Sequence, residues 1–261
     1  MHEKIITLYC LCADFLRVSG VREDPRSRMS TAEVMTVALV AAACFGGHQE
    51  QSRRFLCEFG FIPAERMLSK GRLNRRLHSV AEGTWLGLFS LLAEAHKQTN
   101  ERQEYIIDSM PVPVCDNDRI RRCKLYREQM YRGRIPSKKR WFYGLRVHLV
   151  ITAKGKPVEF VLAPGSWADV RVFRSMVLDL PEGARPYADA AYTDYETEDL
   201  LRDVGIELTA ARRKNSKRPH PGWVEYVCSQ TRKYVETTFS LLAERFARSI
   251  HPEHSSGAFT R

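Results

Sequence analysis

The chain has 261 residues, of which 44% are apolar and 28% charged. This composition is typical of globular proteins and excludes collagen-like, disordered and membrane-embedded classes. Lysine and arginine number 41 against 31 acids, so the net charge is +10, which favours a polyanionic partner. The seven cysteines lack paired C-x-x-C spacing, so we expect reduced thiols, no zinc site and a cytoplasmic protein.

The first 100 or so residues follow helical spacing. Ser30 and Glu33 form a capping-box pattern, which predicts a helix that runs to about Phe45 and ends at two glycines. Its apolar run is shorter than the roughly 20 residues that cross a bilayer, so no membrane partner is expected. Ser69 is expected to cap a short helix whose basic side chains either read a DNA groove or form a solvated face. Those side chains are Arg72, Arg75 and Arg76.

After Asn100 the pattern changes to short apolar segments separated by turns. Strands are predicted at residues 105–108, 144–151, 158–163, 185–189 and 206–209, and helices at residues 170–177, 194–204 and 230–246. A cap at Ser166 or Asp169 is expected for the first of these helices. His148 is expected to be a structural histidine of the second strand. The order predicts an α/β fold, with a mixed sheet flanked by helices at residues 101–261 and an all-helical region at residues 1–100.

Basic residues are concentrated in three segments. Residues 115–141 carry ten lysines and arginines against three acids, and residues 66–78 and 211–220 carry five each and no acids. Three solvated loops would explain this, but aromatic residues beside the segments favour nucleic acid. We expect these side chains to grip phosphates more than to read bases. The candidates are Arg119, Arg121, Arg122, Lys124, Lys138, Lys139, Arg140, Arg212, Arg213 and Lys214.

Three acids occupy positions that such a sheet could bring together. Asp108 ends the first predicted strand, Asp189 ends the fourth, and Glu236 lies on the last helix. Each has a simpler explanation: a turn acid, a cap, and an i, i+4 partner of Arg232. Clustered carboxylates repel one another and are costly to desolvate, and a hard divalent cation relieves both effects. Two such ions can activate an attacking oxygen and stabilise the leaving oxygen of a phosphodiester.

At these residues the chain resembles a DDE-type transposase of a bacterial insertion sequence, with a ribonuclease-H-like catalytic domain. The similar stretches are IDSMPVPVC at residues 107–115, KKRWFYGLRVH at 138–148, YADAAY at 187–192 and RKYVETTFS at 232–240. The resemblance implies that Asp108, Asp189 and Glu236 bind the metal ions and catalyse the reaction. It also implies that Arg232, one helical turn before Glu236, contacts DNA phosphate or orients the carboxylate; a surface salt bridge is the alternative.

The resemblance further implies cleavage of double-stranded DNA at the element's terminal inverted repeats, with the 3′-hydroxyl ends joined to target DNA. Two Mg²⁺ or Mn²⁺ ions and a homodimer on DNA, in the bacterial nucleoid, are expected. Relatives commonly have lysine where Ala190 stands, and they continue with an apolar segment where residues 252–261 are polar, so a truncated or frameshifted end is expected. A nuclease that does not join strands and an inactive DNA-binding remnant are the alternatives, with an RNA-binding module last.

Overall fold

Helices come first in the chain and strands follow. The computed structural model describes residues 1–245, except for the side chains of residues 137, 232 and 243–245. The truncated or frameshifted end that is expected at residues 252–261 lies outside the described residues. The helical region comprises α1 (His2–Val18), α2 (Thr31–Cys44), α3 (Gln49–Glu58), α4 (Lys70–Ser79) and α5 (Glu82–Gln98).

Helix α2 is the centre of the helical region. The predicted capping box is present, since the Ser30 side chain accepts the Glu33 backbone N–H and the Glu33 side chain accepts the Ser30 backbone N–H. Apolar residues surround the helix, and Val34, Met35 and Val37 are fully buried, as expected for a core helix. Among the described residues no single helix is long and apolar enough to span a membrane; α2 and α3 meet such a criterion only together, and they are bent by 110°.

The second part of the chain is a six-stranded sheet with helices. Its strands are β1 (Glu104–Asp116), β2 (Arg132–Ile135), β3 (Arg140–Thr152), β4 (Pro157–Pro164), β5 (Arg185–Ala188) and β6 (Thr209–Ala210). The helices are α6 (Asp169–Ser175), α7 (Tyr195–Asp203) and α8 (Gly222–Arg245). The predicted mixed α/β class with a preceding helical region is therefore confirmed.

The strand order places the first predicted strand beside the fourth. Strand β1 pairs with β3 in antiparallel orientation and with β5 in parallel orientation, and β6 lies parallel beyond β5. Strand β4 pairs with β3, and β2 pairs with the first part of β3. A mixed sheet of this kind is consistent with the ribonuclease-H-like domain that the resemblance implies.

Strand β1 is much longer than the predicted strand at residues 105–108. Asp108 is therefore not a turn acid, and Pro111 and Pro113 also lie within the strand, where they pair with β3. Strand β5 pairs only with residues 104–107, so the other edge of β1 is not covered by a described strand beyond Ile107. An edge tolerates proline because no ladder partner needs its missing N–H.

Several other predictions differ locally. Strand β2 was not predicted, β6 has two residues, and α8 begins eight residues before the predicted start. Neither Ser166 nor Asp169 caps α6, whose N-cap residue is Ala168, so the capping prediction is wrong. The Ser166 hydroxyl instead donates to the Met130 carbonyl at 2.6 Å. Asp169 makes tertiary contacts that are described below.

The described chain divides into two compact units. One comprises residues 1–89 together with residues 242–245 of α8, and the other comprises residues 90–241. The division falls some ten residues before the predicted boundary and within α5.

Candidate active site

Two of the three predicted acids are neighbours on adjacent parallel strands, at the point where those strands stop pairing. Ile107 and Ala188 are paired neighbours on the parallel strands β1 and β5, and Asp108 and Asp189 are the next residues on each. Asp189 directly follows β5, but Asp108 does not end a strand as predicted, because β1 continues to Asp116; Asp108 lies where the pairing of β1 with β5 stops. The carboxyl ends of paired parallel strands are the usual position of a ligand site in an α/β sheet. Both side chains are half-buried. Their orientation is set locally, because Asp108 Oδ1 accepts the Ser109 backbone N–H at 2.7 Å and Asp189 Oδ1 accepts the Ala191 N–H.

Glu236 lies on α8 and its side chain is exposed. Among the described side chains, which do not include that of Arg232, no three His, Cys, Asp or Glu side chains are arranged to hold a metal ion. The structure therefore brings Asp108 and Asp189 together and does not join Glu236 to them. The complete triad stays a prediction.

A buried tyrosine and histidine lie beside the two aspartates. The Tyr192 hydroxyl and His148 Nδ1 are 2.8 Å apart, and both side chains are fully buried. Burial raises the pKa of Tyr192 well above its ordinary value, and the charges of Asp169, Asp108 and Asp189 add to the effect. Burial also lowers the pKa of His148 to about 4, against the opposing effect of Asp169. Both groups are therefore neutral at pH 7.

Sequence reasoning missed a third aspartate close to Asp108, namely Asp169. Asp169 Oδ1 accepts the Ser109 hydroxyl at 2.9 Å and lies 3.3 Å from Arg146 Nη1. It also lies 3.9 Å from His148 Nε2. Ser109 is the residue after Asp108, so Asp169 is linked to the candidate site through one side chain. The available signal was that Arg146 and His148 alternate with apolar residues on a buried strand. Buried polar side chains need hydrogen-bond partners, so another segment had to supply an acid or acceptor for them.

Most of the predicted phosphate-binding side chains are exposed. The exposed ones in the α/β unit are Arg119, Arg121, Arg122, Lys124, Lys138, Lys139, Arg140, Arg213 and Lys214. Arg140 also pairs with Asp116. Arg212 differs from these, because its side chain is only 6% exposed and forms two hydrogen bonds with the buried carboxylate of Glu198. Its charge is already compensated inside the unit and is not presented to solvent.

In the helical unit, Arg72 and Arg75 are exposed on α4. Arg76 instead donates to the Thr31 hydroxyl at 3.1 Å and lies 3.4 Å from the Glu23 carboxylate. These contacts tie α4 to the start of α2. The side chain of Arg232 lies outside the described part of the structure.

Comparison with known proteins shows a family match. The model of the transposase DDE domain matches residues 98–256, which is more than half of the chain. No curated protein matches the sequence. Among solved structures, the chain is similar to piggyBac transposase in a synaptic complex with hairpin DNA, with a TM-score of 0.40 and 13% identity over 82% of this chain. The chain spans about half of that protein, 49% of its length.

Proposed function

Because the chain belongs to the family of transposase DDE domains, we propose that it is a DNA transposase. The proposed reaction cuts DNA at the terminal inverted repeats of an insertion sequence and joins the freed 3′-hydroxyl ends to target DNA. The observation that supports it most directly is the adjacency of Asp108 and Asp189, which directly follow the last paired residues of the parallel strands β1 and β5. Catalysis is assigned to these two residues and Glu236.

The donor set fits a hard divalent cation. Mg²⁺ binds through one or two carboxylates and takes its remaining ligands from water and phosphate oxygens. Asp108 and Asp189 supply such a pair, and Glu236 is the proposed third ligand. Mg²⁺ or Mn²⁺ held there, as two ions, would supply activation of the attacking oxygen and stabilisation of the leaving oxygen.

The chain's own groups orient the two aspartates. The backbone N–H groups of Ser109 and Ala191 each hold one carboxylate oxygen, so neither side chain rotates freely. The neutral His148–Tyr192 pair lies near them and adds no charge. A site held in this way binds its ligand with little loss of side-chain entropy.

Phosphate binding is assigned to Arg232 and to the exposed predicted cations Arg119, Arg121, Arg122, Lys124, Lys138, Lys139, Arg140, Arg213 and Lys214. Arg72 and Arg75 are assigned to DNA in the helical unit; Arg212 and Arg76 are better explained by their internal contacts. Because each neutralised phosphate releases counterions, affinity for DNA should fall steeply with salt concentration. The proposed assembly is a homodimer that holds paired DNA ends.

The test is strand cleavage and strand joining on a labelled duplex that carries the element's own terminal repeat. The wild-type chain is compared with Asp108→Asn, Asp189→Asn and Glu236→Gln, each with Mg²⁺ and with EDTA. Asp203→Asn is the matched control, because Asp203 is an exposed acid at the end of α7. We expect cleavage and joining to fall by about 100-fold or more in the three variants and to be unchanged in the control.

The other outcomes separate the alternatives. Metal-dependent cleavage without joining would identify a nuclease. Salt-sensitive DNA binding without cleavage by any form would identify an inactive remnant. Cleavage that persists in Glu236→Gln but not in the aspartate variants would remove Glu236 from the catalytic set and keep the other two.

A further inference from the structure

A cleft opens on the α/β unit between β2, β3 and the segment that follows β4. Its volume is about 390 Å³, within the range of small-molecule sites and far too small for a duplex. Gly133 and Gly165 let its walls approach, since a Cβ on Gly133 would lie 2.5 Å from the Gly165 carbonyl oxygen. The lining includes four charged side chains, Arg132, Arg134, Arg146 and Asp169, and two tryptophans, Trp141 and Trp167.

Two tryptophans of the cleft carry arginines on their rings. The Arg132 guanidinium lies 4.4 Å from the Trp141 ring centre and Arg134 lies 5.9 Å from it. The Arg171 guanidinium lies 4.0 Å from the ring centre of Trp167. Cation–π contacts of this kind hold an aromatic ring in place. Trp141 nevertheless stays 42% exposed, which leaves a large part of its surface for a ligand.

The cleft is positively charged. Within the described part of the chain, no carboxylate lies within ion-pair distance of Arg132, Arg134 or Arg171, and the one acid of the lining, Asp169, pairs with Arg146. The buried Nε of Arg146 also has no acceptor among the described residues. The Arg146 guanidinium is therefore only partly compensated by its partners, which favours a bound anion beside its accessible part.

One end of the cleft adjoins the candidate active site. Arg146 Nη1 lies 3.3 Å from the Ser109 hydroxyl and 3.3 Å from Asp169, and Ser109 follows Asp108 directly. Flat aromatic surfaces beside arginines are the means by which proteins hold unpaired nucleotides, because the base stacks and the phosphate pairs with the cation. The volume suits a single nucleotide.

We propose that this cleft binds one unpaired nucleotide of a DNA strand beside the reacting phosphate. The base stacks on Trp141 or Trp167, and the phosphate is held by Arg134 and Arg146. The inference rests on the proposed function only in assigning the nucleotide to the strand that is cut. Binding itself requires neither the metal nor catalysis.

The experiment measures binding by fluorescence anisotropy in EDTA, with the full chain. Two labelled probes are used: a 30-bp duplex, and the same duplex with one unpaired thymidine at its centre. We expect the wild-type chain to bind the second probe about 5- to 100-fold more tightly, the range typical of stacking one base. Trp141→Ala and Trp167→Ala should each reduce this preference and leave affinity for the paired duplex unchanged.

Two further variants make the result specific. Trp141→Phe keeps a stacking ring and should keep most of the preference. Trp223→Ala should keep all of it, because Trp223 is 71% exposed and lies outside the cleft. If an alanine variant does not fold, as judged by circular dichroism, Arg134→Gln serves the same test, since Arg134 is exposed.

Binding of the paired duplex with no preference for the unpaired thymidine would overturn the nucleotide cleft and leave the proposed function intact. A preference that survives in all the cleft variants would also overturn it. Failure of the wild-type chain to bind either probe at low salt would refute both proposals together.

Discussion

Replacing His148 with glutamine should make the α/β unit less sensitive to acid. His148 is fully buried, and its neutral ring contacts Tyr192 through Nδ1. Burial lowers its pKa from 6.5 to about 4, an effect that Asp169 opposes and Arg146 reinforces. At a pH between these two pKa values, His148 carries a proton in the unfolded chain but not in the folded chain. The free energy of unfolding therefore decreases as the pH falls through this window.

The size of the effect follows from the shift. Each pKa unit corresponds to about 1.4 kcal/mol, so the wild-type protein should lose about 2 to 3 kcal/mol between pH 7 and pH 4.5 through His148 alone. His148→Gln keeps a neutral polar side chain and removes this loss. Other titrating groups contribute to both proteins, and their effects cancel when the two pH dependences are subtracted.

The assay is amide hydrogen exchange of β1 and β3 at pH 7.0 and 4.5 in EDTA, corrected for intrinsic exchange rates. These strands report on the α/β unit separately from the helical unit. The free energy of opening is obtained from the exchange rates. If it decreases by the same amount, within about 0.5 kcal/mol, in the wild type and in His148→Gln, the conclusion that His148 is buried in its neutral form is refuted.

Three further predictions concern stability, measured by urea unfolding. Glu198→Ala should destabilise the protein by about 3 kcal/mol, because it leaves the buried Arg212 guanidinium unpaired. Asp199→Ala is the control and should destabilise by less than about 1 kcal/mol, because the ion pair of Asp199 with Arg218 is exposed. Equal effects of the two variants would contradict this prediction. Gly144→Ala should destabilise the protein by about 1–3 kcal/mol, because the added Cβ would meet the Val112 carbonyl oxygen of β1. Gly222→Ala is the control and should be neutral, because the space around Gly222 is open. A neutral Gly144→Ala would contradict the close approach of the two strands at Gly144. Ser30→Ala should cost about 1 kcal/mol through loss of the capping box, and a further Glu33→Gln change should then have a smaller effect than it has alone; additive effects would show that the two caps act independently.

Local chemistry was enough to predict most elements of the fold. The capping box at Ser30 and the apolar alternation of residues 144–151 depend on neighbours within a few positions, and both predictions are confirmed. The position of Asp189 at a strand end could also be predicted, since it is an acid directly after a short apolar strand; the same prediction was wrong for Asp108, because β1 continues to Asp116. Their adjacency additionally required β1 and β5 to be neighbours, which the structure shows.

Contacts between distant residues were decided only by the tertiary structure. Asp169 contacts a serine 60 positions earlier, so its position at a helix start misled the sequence analysis toward a cap. Arg212 lies in a basic run, and nothing in that run indicates that α7 supplies a buried glutamate for it. The cleft around Trp141 exists because β2 pairs with the start of β3, and β2 was too short to predict. Short-range patterns determine which residues form a helix or a strand, whereas strand order and register determine which side chains meet, and those depend on the whole chain.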